Sequence, residues 1–508
     1  SKPACRPLPT SPIRDPPVAT DSNRPVEVGR RAISGVASLG LREGGMRILA
    51  FGGDVALYRL LLPEVFGLVV PIAFIAGIIK QFSDLGLAAT LLQREDEPGE
   101  RDLRTVFAVQ ATLAATAAAL IFLSGPLLLD LIDEGSPDPW LIRAFSLSVL
   151  ISAFRAVPAA MLERHLNFGR LAMADVAGTG WFYAAGIVLA VAGAGPWALV
   201  AAHVGASIVP TLLLLIFYPW RPVPSVQRGR LRQNLDFGAK FQGQRLLLML
   251  KDSLIPILGP TGYGRAATGL LAWGDKLAQQ PLILTQIVAR VSLPAFARVQ
   301  SERAAVARGA HLTIKWTALL TLPFFAVVIA FATPIADFIY GPTWSQAVPV
   351  LYLLAINALL VPINGLLTPI INALGHSGRL LILAVVWTAA AWATALVLIV
   401  SGAGFAAIAI GLAATQIAAL LYLAPLALRL AGVNVARAAG LPFVLAAASG
   451  LIAWFVLRPL TTNLPLLLLF AGLVLAAYAV ALYALDGDNL RHEAGDVLRL
   501  RRRQSPAS

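Results

Sequence analysis

Charge is scarce in this chain. Only 13% of its 508 residues are Asp, Glu, Lys or Arg, and 58% are hydrophobic; a soluble domain averages roughly 25% charged. That leaves too little polar surface to wrap a soluble body of this size, and a soluble enzyme or binding module is excluded. Cysteine is almost missing: Cys5 stands alone, so no disulfide can form within the chain. The glycine pairs in "FGGD" and "GYGR" belong to no G-x-x-x-x-G-K-[ST] run, which argues against ATP hydrolysis. No His, Cys or carboxylate group has metal-ligand spacing, and no cofactor is expected. Long polar loops are lacking as well, none exceeding roughly 20 residues between apolar runs. A membrane-bound polymerase or transferase would need a larger catalytic loop than that.

What is present is a series of apolar segments. About 14 are long enough to span a bilayer at roughly 20 residues each: 33–58, 64–92, 104–130, 140–161, 169–193, 195–219, 236–258, 263–290, 311–340, 344–373, 379–401, 404–430, 438–459 and 464–486. The runs are continuous and do not alternate as barrel strands do. They carry internal prolines (Pro71, Pro158, Pro281, Pro323, Pro362), as membrane helices permit. The expected fold is an all-α polytopic membrane protein.

The net charge of +13 would suggest nucleic acid in a soluble protein. Here its distribution gives another account. With the first residues cytoplasmic, about 28 of the 40 Lys and Arg fall on the cytoplasmic side and about 4 (Arg59, Arg143, Arg265, Arg458) on the other. Topology explains the charge, and no nucleic-acid partner is needed. Both ends of the chain are expected in the cytoplasm, the first as a disordered Pro-rich leader (1–32) without the apolar core of a signal peptide. The basic tail (487–508) reads as a surface helix on anionic lipid. Trp140, Trp220 and Trp344 read as an interfacial belt, His203 and His311 as hydrogen-bonded bundle residues, and Asp84 as a structural cap.

The chain also resembles itself. Shifted by 198, Gly40, Arg42, Gly45, Arg47 and Asp54 meet Gly238, Lys240, Gly243, Arg245 and Asp252; Lys80 and Lys276 then fall within one residue of each other. Two homologous lobes follow, 33–219 and 236–430, joined by a basic linker (220–235) and followed by two added helices (431–486). At 100° per residue Glu43, Arg47 and Asp54 share a helix face, and Arg245 and Asp252 repeat the arrangement beside Lys240 and Lys251. Such stripes are too costly to face lipid and belong in the cleft between lobes. Arg42, Arg47, Lys80, Lys240, Arg245, Lys251 and Lys276 outnumber the anions Glu43, Asp54, Asp84, Asp252 and Asp275 by two, which suits a diphosphate. Asp54 and Asp252, with Glu43 behind them, are the candidates for proton or sodium coupling.

The blocks "YRLLLPEVFGLVV", "FSDLGLAATLLQRED", "RAVPAAMLERHLNFGRLAMAD", "GPWALV", "PLILTQIVARVSLPAFARVQ", "GPTWSQAVPVLYLLAI" and "INALGHSGRLL" resemble, in order, the Wzx-like polysaccharide transporters. That superfamily also holds the MATE multidrug exporters and the lipid II flippases. Leu62 departs from the family's usual Gly before Pro63, and the 250–262 region lacks its usual Asp-Asn helix start. The resemblance implies a MATE-like fold in the bacterial inner membrane. It also implies a flippase that moves a polyprenyl-pyrophosphate oligosaccharide to the periplasmic leaflet, with other polysaccharide-assembly proteins as candidate partners. The competing functions are a lipid II flippase, an ion-coupled multidrug exporter, which would need an acidic cavity, a glycan polymerase and a non-transporting scaffold.

With 14 spans, alkaline-phosphatase fusions at Ser136 and Gly402 should be active and those at Gln227 and Ser505 inactive. Activity at Ser505 would mean an odd number of spans and break the repeat.

Overall fold

A computed structural model describes residues 45–84, 91, 96–132, 137–220, 223, 249–250, 252–285, 303–373 and 377–502. Ser1–Gly52 and Gly53–Ser508 form separate compact units. In the first, residues 45–52 are helical; the second begins with the helix α1 (53–60). The leader and the basic linker lie outside the described residues.

The apolar runs become helices, most of them close to their expected limits and α7, α8 and α13 not: α2 (Pro63–Asp84), α3 (Glu100–Ile132), α4 (Trp140–Arg164), α5 (Phe168–Val191), α6 (Pro196–Phe217), α7 (Leu254–Gln279), α8 (Arg303–Ala330), α9 (Val348–Ala373), α10 (Ser377–Val400), α11 (Ala406–Ala431), α12 (Val435–Ile452) and α13 (Leu464–Arg502). Among the described residues there is no strand, and 11 segments are long and apolar enough to cross a membrane. The other three expected spans have simple explanations. Those at 33–58 and 236–258 reach into residues outside the described set, and 263–290 corresponds to the later part of α7, which bends at Gly264 (φ 80°).

Two expectations are corrected. The tail is no separate surface helix, because α13 runs unbroken for 39 residues, about 58 Å at 1.5 Å per residue. It is longer than the thickness of a hydrocarbon layer of about 30 Å. The expected helix 311–340 also breaks at Phe331 (φ −104°), where a short helix, a π-helical turn (Ala336–Tyr340) and a 3-10 turn (Pro342–Ala347) follow. Pro334 supplies the reason at Phe331, because it has no N–H for the Ala330 carbonyl and its ring clashes there; Gly341 (φ 111°) and Pro342 then end the π-helical turn.

Helices α3 to α6 pack mainly with one another, as do α8 to α13, while α2 and α7 pack most closely against each other and form the seam between the two groups. Glycine makes that seam close. A Cβ on Gly67 would overlap the Arg265 backbone, and one on Gly269 would overlap the Pro63 backbone. Small residues at such crossings let helices gain van der Waals contact where no hydrophobic drive exists in lipid. In the second group Ile314, Leu367 and Leu423 centre a buried cluster. Lys315 and Asp486 tie α8 to α13 at 2.7 Å, and Asn489 also donates to Asp486 at 2.8 Å.

Gly67→Ala and Gly269→Ala should each cost about 1–3 kcal/mol by overpacking. Gly77→Ala, with no atom within 4 Å of its Cβ, should not destabilise. Melting temperatures of the purified protein check this, and three equal shifts would deny the close seam.

Candidate functional site

The centre of the site is Asp54, on α1 and only 7% exposed. A carboxylate buried in an apolar bundle needs donors, and two other helices bring them. Tyr183 of α5 donates its hydroxyl to Oδ1 at 3.0 Å, and Lys276 of α7 donates from Nζ to the same oxygen at 2.6 Å. The Lys276 ammonium also lies 5.7 Å from the Tyr58 ring centroid, within cation–π range. One carboxylate thus joins helices from both packing groups.

The neighbouring "FGGD" explains how Tyr183 arrives. A Cβ on Gly53 would strike the Tyr183 ring, so only glycine lets that ring lie on the α1 backbone with its hydroxyl at Asp54. Behind it, Phe182 stacks edge-on against His203 at 4.8 Å, and the Leu199 carbonyl accepts from His203 Nδ1 at 2.8 Å. His203 is a hydrogen-bonded bundle residue, as expected.

Next along α1 is an aromatic cluster. Tyr58 packs on Phe66 at 4.2 Å and edge-on to Trp344 at 4.8 Å, while Trp273 lies 5.4 Å from Tyr340 and 5.9 Å from Trp344. Trp344 is 1% exposed and donates its indole N–H to the Tyr58 carbonyl at 2.8 Å. It is therefore a core residue, which corrects its expected place in the interfacial belt; Trp140 does lie exposed. Arg59 completes the join, donating to the Phe338 and Ile339 carbonyls at 2.5 and 2.7 Å. Those donors satisfy backbone that the broken segment 331–348 would otherwise leave unpaired.

Of the expected site residues, the structure brings Asp54 and Lys276 together. Lys276 is therefore neutralised here, though its side chain stays 45% exposed. Arg47 is half-buried within its own unit, and Lys80 and Asp252 are exposed, unlike Asp54. Asp252 consequently does not share the surroundings of its repeat mate Asp54. Arg42, Glu43, Lys240, Arg245 and Lys251 lie outside the described residues. Sequence reasoning missed Tyr183, Arg59 and the aromatic cluster; the one available signal was the glycine beside Asp54. Among the described residues no His, Cys, Asp or Glu cluster could hold a metal.

The fold defines a class of many-helix bundle: it is similar to that of the lipid II flippase MurJ in an inward closed conformation (TM-score 0.68, 15% identity, 88% of this chain and 98% of that one). An inward-facing MATE multidrug resistance transporter is also similar (TM-score 0.59, 16% identity, 80% and 94%). Within that class the chain belongs to the polysaccharide biosynthesis protein family, matched over residues 56–349. It is 24% identical over 337 residues to the lipopolysaccharide biosynthesis protein WzxC of Escherichia coli K12, and 25% over 346 residues to the succinoglycan biosynthesis transport protein ExoT of Rhizobium meliloti. Those matches cover 65% and 67% of this chain, and the chain spans 65% and 66% of the relatives' own lengths.

Tyr183→Phe should lower stability by about 1.5–3 kcal/mol, the scale of a hydrogen bond to a charged group, and Gly53→Ala by at least as much. Thermal unfolding measures both. Two wild-type melting curves would mean that Tyr183 contributes nothing to holding Asp54.

Proposed function

We propose that this protein is a flippase, a transporter and not an enzyme, for a polyprenyl-pyrophosphate-linked oligosaccharide. On this reading it lies in the bacterial inner membrane with both ends in the cytoplasm and carries its substrate to the periplasmic leaflet. The observation that supports it most is the Asp54–Lys276 bridge between two helix groups, at 2.6 Å beside an aromatic seal. Charges this expensive in a membrane suit a contact that forms and breaks. The WzxC and ExoT names, and the flippase named among its structural neighbours, agree with the reading.

In this scheme the segments 33–219 and 236–430 are two lobes that alternate. The bridge latches one end of the cleft while the other end admits substrate. The pyrophosphate draws on Lys276, Arg47 and Lys80, together with Arg42, Lys240, Arg245 and Lys251, by charge-assisted hydrogen bonds. Losing Lys276 to the substrate frees Asp54, which then takes a proton or sodium; Asp252 and Glu43 are its candidate counterparts. A multidrug exporter of cations fits less well, because the buried carboxylate it would offer is already neutralised by Lys276. Other polysaccharide-assembly proteins would receive the product.

The test is complementation of surface polysaccharide export with membrane levels measured. Lys276→Gln and Asp54→Asn should each cut export at least about tenfold, the effect of some 1.4 kcal/mol, with lipid-linked glycan accumulating on the cytoplasmic side. The swap Asp54→Lys with Lys276→Asp should restore protein level but not export. Full export from Lys276→Gln, or from the swap, would make the bridge purely structural and overturn the latch.

A further inference from the structure

A cavity of about 460 Å3 lies where two stretches of irregular backbone meet, Ala336–Tyr340 before α9 and Ala453–Leu457 after α12. Both are π-helical turns, which are rare and recur at functional sites. The volume is within the roughly 300–1,000 Å3 common for small-molecule sites. None of its lining belongs to the Asp54 bridge.

Two charged side chains border it. Arg458 lies with its guanidinium 4.4 Å from the Trp454 ring centroid and donates to the Thr333 hydroxyl at 3.0 Å. That hydroxyl and the neighbouring Tyr352 hydroxyl engage only part of the five donors a guanidinium carries. Asp337 accepts from the Ser345 hydroxyl. Among the described residues neither charge forms an ion pair, with the other or with any third group. Both are half-buried, so each is partly stripped of water without a compensating charge, which is unfavourable until a ligand supplies one. A cation and an anion lining one cavity are complementary in charge to a zwitterion. A neutral sugar would leave both charges uncompensated. The cavity adjoins exposed apolar side chains at Ile452, Phe455 and Val456, on a helix long and apolar enough to cross a membrane. An apolar tail continuing from the ligand would lie there.

We propose that this cavity seats the headgroup of a zwitterionic phospholipid bearing a primary ammonium. Its phosphate bonds Arg458, its ammonium bonds Asp337, and its acyl chains run along Ile452, Phe455 and Val456. The selectivity follows from the donors. A primary ammonium gives hydrogen bonds to a carboxylate, a quaternary ammonium has none to give, and a phosphoglycerol headgroup brings a negative charge with no cation for Asp337. This site is independent of the proposed flippase activity and stands or falls separately.

The full-length protein is exchanged into phosphatidylethanolamine, phosphatidylcholine or phosphatidylglycerol of identical chains, and lipid retention is read by native mass spectrometry. Wild type should retain the ethanolamine lipid about tenfold over the other two. Asp337→Asn, which keeps an acceptor for Ser345, should remove that preference. Arg458→Gln should lower retention of all three, and Arg458→Lys should fall between it and wild type. Equal retention of the three lipids by wild type overturns the proposal. So does an undiminished preference in Asp337→Asn. Asp337-dependent binding of a soluble oligosaccharide without lipid selectivity would reassign the cavity to a sugar.

Discussion

A carboxylate inside an apolar bundle constrains everything near it. Buried where it is, Asp54 needs hydrogen-bond donors, and they come from α5 and α7, helices far apart in the chain. Three helices must therefore meet at one level, and the local sequence is shaped to let them. Gly53 clears the α1 backbone for the Tyr183 ring, while Gly67 and Gly269 let α2 and α7 touch backbone to backbone. Replacing any of these glycines adds atoms where no space remains.

The same region collects the irregular backbone. The chain breaks its helix at Phe331 and resumes at Val348. Such backbone is tolerated at membrane depth only when protein groups satisfy it. Arg59 and Trp344 do so from opposite directions, one donating to carbonyls of the broken segment and the other from that segment to the Tyr58 carbonyl. Aromatic rings fill the remaining space. Charge, irregular backbone and ring packing thus occur together at the contact between the two helix groups, the joint on which the proposed alternation turns. The Lys315–Asp486 pair differs: both side chains are about 10% exposed and both lie in the second group, so it fastens α13 without bridging that joint.

Two of the four cations expected on the less positive side illustrate why charge counts describe topology better than role. Arg143 lies 5.1 Å from both the Phe122 and Trp140 rings, and Arg458 stacks on Trp454. Each has a local packing partner that holds it at a helix end, which a loop tally cannot register.

The sequence by itself determined the helices. Long apolar runs with few charges can satisfy their backbone in a bilayer only as α-helices, so α3 to α6 and α9 to α11 appear within a few residues of expectation. It also marked Asp54 and Lys276, because charge in an apolar run is costly wherever that run packs. Only the tertiary structure decided that these two belong to each other, 222 positions apart, and that Tyr183 joins them. It likewise decided that Trp344 is core while Trp140 is surface, and that Asp252 does not share the surroundings of Asp54. Hydropathy and periodicity report the cost of a residue in its own helix. Partner, depth and level depend on how helices distant in the chain cross, and those crossings are set by close contacts such as Gly67 on Arg265 that no single stretch of sequence encodes.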